Sequence, residues 1–224
     1  MACPQAWQRQ TPIGMRRRAE SVDVGVDEHR VLLLRHGETE WSKTGRHTGV
    51  TDLDVTETGR RQAVAAQAVL ADLHLDHPLV ICSPRRRALR TAEFAGLTID
   101  EISDDLAEWD YGRYEGQTIA EIRHREPGWL IWTHGADGGE SVPQVSARAD
   151  RVIDMALRCL GSRDVVLVSH GHFCRAVITR WLELPLTDGA RFAMPPASIA
   201  VCGFEHQLRQ LCALGLTGPG APRP

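Results

Sequence analysis

The chain has 224 residues, enough for one domain with a sizeable core and too few for two full ones. Its 26 Lys and Arg stand against 29 Asp and Glu, giving a formal net charge of -3, so no basic excess exists to wrap nucleic acid or coat an anionic membrane, and any anion site has to be local. No apolar run has the length of a bilayer span and no apolar segment follows the N-terminal arginines as a signal peptide requires, so the expected address is cytoplasmic.

Residues 1–29 mix Pro, Gln, Arg and acidic residues without a hydrophobic period, which predicts a disordered extension; Met15, before Arg16-Arg17-Arg18, is an alternative start. Order is expected from Val31-Leu32-Leu33-Leu34, a short unbroken apolar run of the kind found in a strand buried on both faces, ending at Arg35-His36-Gly37. An alanine-rich amphipathic helix follows to Leu73 with Thr56 as its cap, and Leu79-Val80-Ile81-Cys82 is a second buried strand. Ser83-Pro84 breaks it, and the spacing predicts a helix to Phe94 with Pro84 at its first position. Residues 99–102 read as a weak strand and 118–125 as a short helix before Pro127. Between Ser141 and Leu160, Val142, Val145, Ala149, Val152, Ile153 and Ala156 form one helical stripe. Val165-Val166-Leu167-Val168 is the third buried strand, ending at Ser169-His170-Gly171; a helix to Leu182 follows, then closing strands over 198–204 and 208–214. The Gly/Pro-rich segment 218–224 is expected to be a flexible tail, leaving 30–217 as the domain.

Strands alternating with helices imply an α/β fold: a single-domain three-layer α/β/α sandwich around a mostly parallel central sheet. The six cysteines show no close CxxC pair, so neither a disulfide framework nor a zinc ribbon is indicated; Cys82, Cys159, Cys174, Cys202 and Cys212 read as small core residues.

Three buried strands end in polar groups: Arg35-His36-Gly37, Ser83 with Arg87 beyond it, and Ser169-His170-Gly171. In an open α/β sheet the carboxyl ends of the strands share one edge, where ligands bind. Two arginines and two histidines converging there make a pocket for a compact dianion, with Gly37 and Gly171 allowing close backbone approach.

With these blocks in place, the chain resembles the histidine phosphatase superfamily, which includes the cofactor-dependent phosphoglycerate mutases. The residues that carry the resemblance are Leu33-Leu34-Arg35-His36-Gly37-Glu38-Thr39 with Trp41, Thr48-Gly49, and Leu53-Asp54-Val55-Thr56-Glu57-Thr58-Gly59. Further on come Ser83-Pro84, Arg87-Ala88 and Thr91, then Glu108 before Gly112-Arg113-Tyr114-Glu115-Gly116, Gly139-Glu140-Ser141, and Ser169-His170-Gly171. The match runs in order over most of the chain. Glu108-Trp109-Asp110-Tyr111-Gly112 and Ser169-His170-Gly171-His172-Phe173 look most like a branch holding mycobacterial-type acid phosphatases and fungal sedoheptulose bisphosphatases.

The resemblance implies the phosphoglycerate mutase-like fold and a phosphatase of small phosphomonoesters working through a phosphohistidine, with no cofactor and no metal. His36 would be the nucleophile, since a neutral imidazole nitrogen can attack phosphorus in line. Arg35 and Arg87 would present guanidinium forks to the phosphoryl oxygens; family spacing picks Arg87 over Arg85, Arg86 and Arg90. His170 would donate a hydrogen bond to the transferring group. Glu108 would protonate the leaving oxygen and then activate water, its acid form favoured by hydrophobic cover from Trp109; Asp110 and Glu115 are rivals, with Glu115 reading as structural.

Thr48 and Gly49 are expected to border the phosphate through hydroxyl and backbone donors. Ser42, Arg113, Gly171 and His172 are candidates for the rest of the substrate, as are Arg46, His47, Tyr114 and His134, and Arg46, Arg85 and Arg113 could seat a second phosphate. The expected partner is a small phosphorylated metabolite; neither nucleic acid nor membrane is expected, and a homodimer is left open.

The alternatives are a mutase or a silent phosphate binder. Phosphoglycerate mutases carry Asn at the position of Ser42, a Tyr-Gly-x-Leu-x-Gly segment where this chain has Tyr111-Gly112-Arg113-Tyr114-Glu115-Gly116, and a longer insertion after it. Silent relatives lose the nucleophile or the acid, and this chain keeps both. A metal site built on His36, His170 and His172 lacks a supporting carboxylate cluster.

Overall fold

A run of four apolar residues with no polar alternation fits a strand only if both of its faces are covered. In the computed structural model, which describes residues 29–219, β1 (Val31–Arg35) is such a strand: Val31 and Leu33 enter one core cluster while Leu32 and Leu34 enter the other. The predicted extension, apart from its last residue, and the tail beyond residue 219 lie outside the described residues.

The remaining elements follow the same physical logic. After a single turn, α1 (Glu40–Lys43), comes α2 (Glu57–Asp72), which starts where the Thr56 hydroxyl accepts the Gly59 N–H at 3.0 Å. Next are β2 (Leu79–Cys82), α3 (Arg86–Phe94) and the two-residue β3 (Glu101–Ile102). Pro84 is not the first helical residue: Arg85 is the N-cap, so Pro84 lies one position outside and serves to end the strand. A capping box between Thr118 and Glu121 opens α4 (Ile119–Arg125), and one between Ser141 and Gln144 opens α6 (Val142–Cys159); the short α5 (Ile131–His134) lies between them. β4 (Val165–Ser169) runs into α7 (Gly171–Trp181), and β5 (Ile199–Glu205) and β6 (Leu208–Leu216) close the sheet.

The six strands lie in the order β3-β2-β4-β1-β5-β6, parallel from β3 to β1 and antiparallel from β1 through β6. Helices α2 and α3 cover one face through Ala66, Leu70, Ala88 and Ala92; α6 and α7 cover the other through Val145, Val152, Ile153, Phe173 and Val177. This is the three-layer sandwich read from the alternation of elements. Each fully buried leucine of β1 contributes roughly 1.5–3 kcal/mol to it. No helix among the described residues is long and apolar enough to cross a membrane.

Register aligns the chemistry. Arg35 pairs with Ser169 across β1 and β4, and Cys82 pairs with Val168 across β2 and β4, so the residues that leave the three strands emerge side by side. The next ladder bonds, His36 N–H to Ser169 carbonyl at 2.9 Å and Ser83 N–H to Val168 carbonyl at 3.0 Å, carry the alignment one residue past the strand ends. Gly37 then crosses the start of α2 so closely that a Cβ would stand 2.5 Å from the Gly59 carbonyl, and one on Gly59 would stand 2.2 Å from the Glu38 carbonyl. The two glycines thus let the loop after His36 rest on the α2 backbone, where the Thr91 hydroxyl accepts the Gly37 N–H at 2.9 Å.

Candidate active site

A cavity of about 610 Å³ opens at the carboxyl edge of the sheet. His36 lies in its wall, with only 4% of its surface exposed. Its Nδ1 is 2.7 Å from the Gly37 carbonyl oxygen, which can only accept, so Nδ1 carries the proton and Nε2 keeps its lone pair. Burial, then the guanidinium charges of Arg87 and Arg35, hold the ring's pKa well below that of ordinary histidine. His36 is therefore a neutral base with one fixed tautomer.

Arg35 shares the wall and donates to the Met194 carbonyl, while its Nε is buried without a protein partner. Gly171 lies flat against that guanidinium: a Cβ there would sit 3.2 Å from Cζ of Arg35.

Glu108 faces the same cavity from a segment held near the start of α7. Its carboxylate accepts three peptide N–H bonds, from Trp109 (2.9 Å) and Phe173 (2.9 Å) on Oε1 and from His172 (3.0 Å) on Oε2. His170, the N-cap of α7, makes no side-chain cap bond, so Glu108 supplies across space the anion that the first turn of this helix needs. Trp109, expected as its hydrophobic cover, lies in the core cluster and donates Nε1 to the Glu140 carbonyl.

Arg87 and His170 are both fully buried behind His36, whose ring centroid is 5.2 Å from that of His170. Neither lines the cavity. Arg87 donates Nε–H to Nδ1 of His170 (3.1 Å), Nη1 to the Thr51 carbonyl (2.9 Å) and Nη2 to the carbonyls of Thr48 (2.9 Å) and Gly49 (3.0 Å). His170 places Nε2 2.7 Å from the Ser83 hydroxyl, so both ring nitrogens are engaged inside the protein rather than toward the pocket. Burial, Arg87 and His36 push its pKa well down, so the ring is neutral.

Of the residues expected to touch substrate, Ser42, Thr48, Gly171 and His172 line the cavity, as do Arg46 and His47. The Ser42 hydroxyl donates to the Thr39 carbonyl in the α1 capping box, and that of Thr48 to the Arg46 carbonyl. Gly49 does not offer its N–H to the pocket: Glu115 takes it at 2.9 Å, together with the Thr51 N–H at 2.9 Å. The Thr48 to Thr51 loop is thus clamped between Arg87, which takes its carbonyls, and Glu115, which takes its amides, consistent with the structural reading of Glu115. Arg113 also misses the pocket; its one-turn helix, Gly112–Tyr114, aims it outward, where it pairs with Glu126 (2.9 Å) and Asp137 (2.8 Å). Tyr114, bonded to Glu126, and the exposed His134 are likewise outside the cavity, and so is Arg85.

Several wall residues carried no assignment in the sequence reading. Tyr111 brings its hydroxyl to 2.6 Å from Nδ1 of His172, whose pKa burial and Arg175 hold well down. Arg175 rests 4.7 Å above the Trp132 ring, donates Nε–H to the Gly189 carbonyl (2.9 Å), and has no ion-pair partner among the described residues. Helical spacing from Gly171 and His172 would have found it, being four and three residues on. Glu38, Lys43 and Gln62 add polar groups, and residues 192–196 form an apolar wall that no motif announces.

Among the described residues no group of three or more His, Cys, Asp or Glu side chains is placed to hold a metal ion. All five described cysteines are free thiols; burial raises Cys82 and Cys174 to about 12, which removes them from nucleophilic chemistry near neutrality.

Residues 31–217 match the family model described as histidine phosphatase superfamily (branch 1). The chain is 62% identical over 199 residues to an acid phosphatase of Mycobacterium tuberculosis, covering 89% of this chain and 98% of that protein. It is 31% identical to a sedoheptulose 1,7-bisphosphatase of Saccharomyces cerevisiae, covering 69% and 68% of the two chains. A solved structure of an open reading frame product from Mycobacterium tuberculosis superposes with a TM-score of 0.84 at 63% identity, over 85% of this chain and 98% of that one.

Proposed function

The chain belongs to the histidine phosphatase superfamily, branch 1, and from that premise we propose that it is a phosphoric monoester hydrolase that dephosphorylates small metabolites through a phosphohistidine on His36. One observation carries the reading: the free Nε2 lone pair of a neutral His36 faces a cavity that also holds Arg35 and the Glu108 carboxyl.

In the first step Nε2 forms a bond to phosphorus while the ester P–O bond breaks, and the Glu108 carboxyl gives its proton to the departing oxygen. In the second, the Glu108 carboxylate takes a proton from water, whose oxygen displaces His36 and releases inorganic phosphate. Arg35 takes the phosphoryl oxygens on the pocket wall. His170 and Arg87 bear on the transfer from behind the nucleophile, Arg87 with four of its five N–H groups already committed to His170 and the Thr48 to Thr51 loop.

The cavity is far larger than phosphate alone, and its two kinds of wall describe the ester's organic part. Lys43, Arg46 and Arg175 suit hydroxyls or a second anionic group, while residues 192–196 suit a carbon skeleton. Sugar phosphates combine both, in keeping with the bisphosphatase and acid phosphatase relatives. Free thiols throughout the described residues fit a reducing cytoplasm.

The test is a rapidly quenched turnover with a labelled phosphate ester. The wild type should carry acid-labile, base-stable label, and His36→Ala should carry none and lose turnover by at least about a thousandfold. Label on any other residue would overturn the assignment.

A further inference from the structure

Arg148 is a charged residue on α6 that the phosphoryl transfer does not use, and its side chain is nevertheless only 9% exposed. All five of its N–H groups are spent. Nε and Nη2 form a bidentate pair with Glu140 (2.9 and 2.6 Å), Nη1 donates to the carbonyls of Asp105 (3.0 Å) and Ala107 (2.6 Å), and Nη2 reaches the Glu108 carbonyl (3.4 Å). Its guanidinium also lies 4.1 Å from the centre of the Phe173 ring. Glu140 meets the other end of the same segment: Oε2 accepts the Asp110 N–H (3.0 Å), and its backbone exchanges bonds with the Asp110 carbonyl (2.9 Å) and the Trp109 indole (2.9 Å).

Every backbone bond here falls on residues 105–110, with Glu108 between the two groups of contacts. From the other side the Glu108 carboxylate is held by the peptide N–H groups of His172 and Phe173 in the first turn of α7, and the ring of Phe173 is what Arg148 stacks on. We propose that Arg148, paired with Glu140, is a positioning residue for the general acid: it fixes both the backbone that carries the Glu108 carboxyl and the helix turn that receives it. A planar fork is needed for this. Five donors in one plane can serve a carboxylate and three carbonyls together, which three tetrahedral donors on a lysine cannot. The inference rests on Glu108 being the leaving-group acid.

Arg148→Lys keeps the charge and loses the fork; Glu140→Gln keeps the shape and loses the ion pair. Both would be compared with wild type on an alkyl phosphate, whose leaving oxygen needs a proton, and on an aryl phosphate with an acidic phenol, which needs it far less. A loosened acid predicts an alkyl-ester kcat/KM lower by about 30-fold or more and an aryl-ester value within about fivefold. Affinity for inorganic phosphate, read by titration, should stay within about threefold, because Arg35 and His36 are untouched. In a Glu108→Gln background Arg148→Lys should add less than about threefold on the alkyl ester, since the group it positions is already gone.

Equal losses on the two esters in both variants, or full additivity with Glu108→Gln, would overturn the proposal and leave Arg148 a residue of general stability. If Arg148→Lys does not yield folded protein, Glu140→Gln decides between the two outcomes by the same ratio of alkyl to aryl losses. The underlying reading fails separately: it does so if Glu108→Gln by itself shows no preference between the esters.

Discussion

Replacing Glu108 by Gln removes one proton donor and disturbs one helix terminus, and the structure gives a size to each effect. The carboxylate accepts N–H groups from Trp109 and Phe173 on one oxygen and from His172 on the other. A carboxamide can keep the first two on its carbonyl, but then its NH2 group faces the His172 N–H, donor against donor. One buried N–H without a partner costs about 1–3 kcal/mol, and losing an anion from the first turn of α7 adds roughly 0.3–1 kcal/mol. The variant should therefore be less stable by about 1.3–4 kcal/mol, a fall in Tm of about 3–16 °C for a chain of this size. Catalysis should fall independently, by about a hundredfold or more on an alkyl phosphate and less on an aryl phosphate. Calorimetry gives the first quantity and single-turnover phosphorylation the second. An unchanged Tm together with equal kinetic losses on both esters would refute both parts of the reasoning, the carboxylate as helix cap and the carboxyl as acid.

Three further outcomes are expected. Because His36 has its pKa well below 6.5, it stays an unprotonated nucleophile as the pH falls, so the acidic limb of kcat/KM should lie clearly below 6.5; a limb at or above 6.5 would contradict the burial argument. The same depression in His36, His170 and His172 makes the unfolded chain bind more protons than the native one below about pH 6.5, so stability should drop as the pH falls, by up to roughly 1.4 kcal/mol per pH unit for each ring; urea melts between pH 7 and 5 would show it, and a flat midpoint would exclude it. Gly59→Ala places a Cβ 2.2 Å from the Glu38 carbonyl, which must move the loop after His36; turnover should fall at least about tenfold with α2 intact by circular dichroism, and unchanged turnover would show that the loop can relax.

The fold was legible where a single physical signal decided the matter. Unbroken apolar runs marked β1, β2 and β4 because both faces of those strands are covered, and Thr56 marked the start of α2 because its hydroxyl does take up an orphan N–H. The candidate site was legible at His36, Arg35, Glu108, Gly171 and His172. It was less so where the question was which way a side chain turns. Arg87 reads from sequence as a fork on the phosphoryl oxygens and Arg113 as a substrate contact, yet the first is sealed under the Thr48 to Thr51 loop and the second pairs with Glu126 and Asp137 outside the pocket. Gly49 was read as a donor to the ligand when Glu115 already held its N–H, a long-range contact no local pattern reveals. Nothing in the apolar stripe of α6 singles out Arg148, because sequence does not show that Glu140 and three carbonyls wait beneath it. The wall at residues 192–196 has no periodicity and no motif, and only the path of the chain after the helix at Leu186–Arg191 brings it to the cavity.

The place of β1 in the sheet also governs how this chain acquires its structure. The strand that presents His36 lies between β4 and β5, so its first neighbour begins 134 residues downstream at Val165 and its second pairs Val31 with Cys202. Closing the first of these loops alone costs about 4 kcal/mol of chain entropy before any pairing repays it. During synthesis β1 emerges before either partner and waits for them with Val31, Leu32, Leu33 and Leu34 uncovered, a short apolar segment that other chains can capture. The helix and strand pairs nearer in sequence, such as α6 with α7 and β5 with β6, close far shorter loops. Because β1 both joins β4 to β5 and presents His36, the pocket exists only once β1 is inserted, so catalytic competence during refolding should not precede that insertion.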